Sequence, residues 1–141
     1  MVEDEGVSLL EFTIPVRSDQ LGRMRAQVRA CVEASGCSEA PTGDIVLAID
    51  EACQNIIRHA YKGDPDGVIE LEIRRSGGNL VFYLYDHGPE VDPRKVKPRD
   101  LDDIRPGGLG THFIQEVMDR ADFLPRPGGS GNLLKMVRRI E

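Results

Sequence analysis

The chain has 141 residues, enough for one domain with a buried core. Its 24 acidic residues against 18 Lys and Arg leave a net charge of −6, which argues against generic binding to DNA or to anionic lipid. With no Trp, three Tyr and four Phe, an aromatic stacking platform for nucleic acid is not expected either.

Leu9–Val16 (LLEFTIPV) reads as a first strand with imperfect alternation, and Pro15 marks an edge or an end. Ser18 or Asp19 is placed to cap a helix reaching about Ser35. Its apolar positions are Leu21, Met24, Val28, Cys31 and Val32, and Gly36 stops it. Pro41 and Thr42 open a second helix, to about Ala60, with the stripe Ile45, Ile49, Ala52, Cys53, Ile56 and Ala60. A loop with Gly63, Pro65, Asp66 and Gly67 leads to Val68–Arg75, which alternates as a strand. Ser76-Gly77-Gly78-Asn79 is a hairpin turn, and Leu80–Tyr85, richer in apolar residues, reads as a central strand.

From Gly88 to Gly108 runs a polar connection holding Pro89, Pro93, Pro98 and Pro106, a length that is usually functional or mobile. A third helix spans about Leu109–Arg120, with Leu109, Phe113, Ile114 and Val117 inward. Ala121–Leu124 and Leu133–Ile140 are the last strands, joined through Gly128-Gly129-Ser130-Gly131. The order β-α-α-β-β-α-β-β predicts an α/β (α+β) sandwich: a mixed, largely antiparallel sheet with helices on one face, not a Rossmann alternation.

Cys31, Cys37 and Cys53 are odd in number and form no C-x-x-C pair, so they are expected as reduced, buried thiols, Cys31 and Cys53 on apolar helical positions. No apolar run approaches the ~18 residues of a membrane span, and the acidic Met1-Val2-Glu3-Asp4-Glu5 does not read as a signal peptide. A cytoplasmic setting is the expectation.

Chemistry concentrates in a few segments. Glu51 and Asn55 are four apart and share one helix face, where a carboxylate can act as a base and an amide oxygen can hold Mg²⁺. In isolation such a pair reads as a solvated polar face. Asp86-His87-Gly88-Pro89 follows the apolar strand. A carboxylate there can accept from an exocyclic amine such as that of adenine, and Gly88 permits close approach. Gly107-Gly108-Leu109-Gly110-Thr111 opens a helix, offering free N–H groups to phosphate, although no Lys follows as in a Walker-type loop. Gly129-Ser130-Gly131-Asn132 alone is a plain hairpin.

Their order and spacing say more. The set DEACQNIIRHAY, DHGPEVD, PGGLGTHFIQEVMD and GGSGNLLKM resembles the asparagine box and three glycine boxes of the GHKL (histidine kinase-like) ATPase superfamily. The first and third segments are most similar to its anti-sigma-factor serine kinase branch, and the resemblance covers Leu9 to Ile140. It implies a Bergerat-type ATP-binding fold over 1–141, with a lid at about 89–106. It also implies roles: Glu51 as general base or nucleophile-orienting carboxylate; Asn55 as the Mg²⁺ ligand; Asp86 on the adenine amine with Gly88 beside the ring; Gly108, Gly110 and Thr111 along the phosphates; Arg105 at the lid's end reaching a phosphate; Asn132 near adenine. His59 and Tyr61 match the family's HAY ending, read as packing and hydrogen bonding at a helix end. Implied partners are a STAS-domain antagonist phosphorylated on serine, a sigma factor, and a second copy in a homodimer.

Two positions depart from the family pattern. The first glycine box usually reads D-x-G-x-G, and Glu90 stands at its last position; the third usually carries Thr where this chain has Asn132. Three functions therefore stay open: a serine kinase and anti-sigma factor, an ATP-dependent binding switch without transfer, and a histidine-kinase-type catalytic domain acting in trans.

Overall fold

A computed structural model describes residues 6–59, 61, 66–88, 108–125 and 131–140. For Ser18, His59, 108–111 and Pro125 only the element is described. The expected lid at 89–106, with Glu90 and Arg105, lies outside the described residues.

Among the described residues, eight elements follow in the expected order: β1 (Val7–Pro15), α1 (Ser18–Ala34), α2 (Glu39–His59), β2 (Val68–Ser76), β3 (Asn79–Asp86), α3 (Gly108–Val117), β4 (Arg120–Pro125) and β5 (Asn132–Arg139). The strands form one sheet in the order β1-β2-β3-β5-β4, so β3 is central and β1, with Pro15, is an edge. Among the described residues every pairing is antiparallel, which sharpens the expected mixed, largely antiparallel sheet into an antiparallel one.

Period-two alternation assigns the sheet's faces. Ile69, Leu71 and Ile73 of β2, Leu80, Phe82 and Leu84 of β3, and Leu134 and Met136 of β5 point one way. There they meet Leu21, Met24, Val28 and Val32 of α1, Ile45, Ile49, Ala52, Cys53 and Ile56 of α2, and Ile114 and Val117 of α3. Val81, Tyr83 and Leu133 form a smaller cluster on the other face. Among the described residues, the three helices thus pack on one face, as expected.

Local details move several boundaries. The alternation of β1 is imperfect because the register shifts between Ser8 and Leu10, leaving Leu9 as a bulged, exposed residue. The N-cap of α1 is Arg17, in extended backbone and without a side-chain cap bond; Asp19 sits in the first turn, where a carboxylate suits the helix dipole. Helix α2 begins two residues early, at Glu39, because the first turn tolerates Pro41. Thr42 is buried, with its hydroxyl donating to the Cys37 carbonyl. Helix α3 ends at Val117 rather than Arg120, since the Asp119 N–H donates to the Val137 carbonyl and draws the chain into β4. Of the thiols only Cys53 is buried; Cys31 and Cys37 are half-exposed.

Candidate nucleotide-binding site

Strand β3 ends at Asp86, directly opposite Asn132, the first residue of β5. Both side chains lie on the helix-covered side, in line with Leu84 and Leu134. Burial there demands partners. The Asn132 Nδ2 donates to Asp86 Oδ1 at 3.0 Å, and the Gly88 N–H donates to the same oxygen at 2.9 Å, closing an Asx turn. Asp86 is only 3% exposed and Asn132 7%. One carboxylate oxygen is thereby fixed by two donors, which orients the group as an acceptor. Gly131 has φ +116°, in the left-handed region that favours glycine, and so delivers Asn132 into β5.

Helix α2 carries the second part. Its apolar stripe faces the sheet, and α1 takes one flank through an ion pair between Arg25 and Asp50 at 2.8 Å. Glu51 and Asn55, both half-buried, occupy the opposite flank. The Asn55 Oδ1 accepts from an exposed Arg58 guanidinium N–H at 2.7 Å. Its carbonyl oxygen therefore faces a position that a cation already fills. That donor chemistry, beside the Glu51 carboxylate, fits a hard divalent ion. Cys53 lies between them in sequence but points into the core. Burial, and then the Asp50 charge, push its thiol up, which keeps it neutral and outside the chemistry.

The two parts are joined at the end of α2. The Tyr61 hydroxyl donates to the Val68 carbonyl at 2.6 Å and accepts from the His87 N–H at 2.7 Å. A cleft of about 670 Å³, lined in part by Gly36, Cys37, Glu116 and Arg138, lies elsewhere. It is at the Asn79–Arg139 end of the β3–β5 pair, roughly 24 Å along the strand from Asp86.

A profile of the histidine kinase-like ATPase domain matches residues 14–138. The chain belongs to the histidine kinase-like ATPase family. Among its relatives, the serine-protein kinase RsbW of Bacillus pumilus is 28% identical, with 96% of this chain and 90% of the relative covered. That of Listeria monocytogenes serotype 4a is 30% identical over 78% of this chain and 75% of the relative. These place the chain in the serine-protein kinase branch of the family. The fold agrees with the RsbU and RsbW domains of a Mycobacterium tuberculosis protein (TM-score 0.64, 20% identity, 93% of this chain and 31% of that one). It agrees also with the catalytic domain of the histidine kinase ThkA (TM-score 0.57, 14% identity, 93% and 96%).

Family membership makes ATP the nucleotide used. The residues singled out in the sequence distribute around the site unevenly. Asp86, Gly88 and Asn132 come together in one buried cluster. Glu51 and Asn55 share a flank of α2. Gly108, Gly110 and Thr111 open α3, where N–H groups lack helical partners. Arg105 lies outside the described residues. One contributor carries no assignment from the sequence: Arg58 is signalled only by its three-residue spacing from Asn55. Tyr61 is expected to pack and hydrogen-bond at a helix end and does so, but its two partners lie in segments that sequence spacing cannot bring together.

Among the described residues, no helix is long and apolar enough to cross a membrane.

Proposed function

We propose that this chain is a Mg-ATP-dependent serine-protein kinase and anti-sigma factor. It transfers the γ-phosphoryl group to a serine of a STAS-type antagonist and holds a sigma factor in the cytoplasm, acting as a homodimer. The reading takes 1–141 as one ATPase domain. The observation that carries it is the buried Asp86–Asn132–Gly88 cluster, a carboxylate oriented to accept from the adenine amine. The relatives' serine-kinase activity and the Glu51–Asn55 flank support the transfer step.

In this reading Asn55 gives its amide oxygen to Mg²⁺, which neutralises phosphate charge when bound. The N–H groups opening α3 cradle phosphate oxygens. Glu51 takes the proton of the acceptor serine as its oxygen bonds the γ-phosphorus. The bond from phosphorus to the β–γ bridging oxygen breaks, and ADP leaves with that electron pair.

Incubation of the chain with Mg-[γ-³²P]ATP and its cognate STAS-domain protein should label that protein on serine, with the label lost in Glu51→Ala. Absence of label, or label unchanged in Glu51→Ala, rejects the kinase. Acid-labile label on histidine selects the histidine-kinase-type alternative. ATP binding that Asp86→Ala abolishes, without any transfer, selects a binding switch.

A further inference from the structure

The hydroxyl of Tyr61 has one proton to give, and Val68 takes it. It therefore meets His87 as an acceptor, and the 2.7 Å contact uses that capacity. His87 stands between Asp86 and Gly88, the two residues that close the Asx turn. Fixing its N–H fixes the peptide plane that joins Asp86 to His87. The phenol is itself held in place. The Tyr61 N–H donates to the Ile56 carbonyl at 3.2 Å, the ring packs on the core, and Gly67 lies against its face. A Cβ at Gly67 would fall 2.8 Å from ring carbons, so that position must stay small. The Gly67 carbonyl also accepts from Val16, which ties the loop to the end of β1.

We propose that Tyr61 is a positioning residue: its hydroxyl locks the C-terminal end of α2 to the Asp86–Gly88 turn and so sets where the base-binding carboxylate stands relative to Glu51 and Asn55. This rests on the reading of Asp86 as the acceptor of the adenine amine. Asp86 is then held from three directions, by Asn132 across the sheet, by Gly88 within its own turn, and by α2 through Tyr61 and the 86–87 peptide. The role is mechanical, and Tyr61 does not touch the nucleotide.

The test compares wild type, Tyr61→Phe and Asp86→Ala by calorimetry with ATP, ITP (a 6-oxo group in place of the amine) and tripolyphosphate, alongside hydrogen exchange at the His87 amide. Tyr61→Phe keeps the ring against Gly67. It should weaken ATP about three- to tenfold, narrow the preference for ATP over ITP by a similar factor, leave tripolyphosphate unchanged, and speed His87 exchange. A merely structural role would weaken all three ligands alike. Uniform weakening, or an unchanged ATP-to-ITP preference with wild-type discrimination intact, overturns the role of Tyr61 alone. Loss of preference in neither Asp86→Ala nor Tyr61→Phe overturns the base-site reading and this proposal with it.

Discussion

The two ends of the site, as the proposed function divides it into a base end and a phosphate end, differ in how far they are built before a ligand arrives. At the base end, Asp86 and Asn132 are buried, face each other across adjacent strands, and share hydrogen bonds with the Gly88 turn. At the phosphate end, the Asn55 oxygen is held by the exposed guanidinium of Arg58 on the same helix. A buried contact between strands costs little reorganisation on binding, because its groups are already desolvated and fixed. An exposed side-chain contact is weak and exchangeable. In the proposed function the base end thus selects, and the phosphate end adapts to metal and acceptor.

The largest expected effect tests that division of labour. Glu51→Gln keeps size and hydrogen bonding but removes the proton acceptor. Transfer should fall about 10²- to 10⁴-fold, with ATP affinity within about threefold of wild type. Rapid-quench transfer and calorimetry measure the two separately. A comparable loss in affinity would mean that the two ends are not separable.

Next comes the base end itself. Asp86→Ala should weaken ATP about ten- to a hundredfold, the worth of a hydrogen bond to a charged group. It also removes the shared acceptor of the Asn132 amide and the Gly88 N–H in a buried place, so denaturant unfolding should show a loss of about 1–3 kcal/mol. Asn132→Ala removes one donor and should cost less in both measurements, about 0.5–1.5 kcal/mol in stability. If Asn132→Ala leaves affinity untouched, Asp86 is oriented by its own turn and not by the neighbouring strand.

Much of this was legible in the chain because the fold writes it in local periods. Alternation in Val68–Ser76 and the helical stripe from Ile45 to Ile56 reflect a single buried face, and the four-residue spacing of Glu51 and Asn55 follows from helix geometry. What local patterns cannot carry are contacts set by register. Asn132 reads as a residue near the base, yet its bond to Asp86, 46 positions away, exists only because β3 and β5 pair in that register. The Tyr61–His87 bond spans 26 positions and depends on where α2 stops over the sheet. The end of α3 is likewise decided by β5, through Asp119 and Val137.

Arg58 supplies the smallest and most discriminating prediction. Its guanidinium lies on the Asn55 oxygen, so in the proposed function Mg²⁺ would have to displace it before Asn55 could coordinate. An exposed pair of this kind is worth a small factor, and its removal should act with a matching one. In Arg58→Gln, the Mg²⁺ concentration giving half-maximal ATP binding should fall about two- to fivefold, while affinity for metal-free ATP stays level. Titrating Mg²⁺ at fixed ATP in a fluorescence or calorimetric assay reads both. A rise in the Mg²⁺ requirement would show instead that the released guanidinium goes to the phosphates and helps hold them. The adaptable end would then exchange one cation contact for another rather than simply give one up, and the contrast with the fixed carboxylate at Asp86 would become sharper.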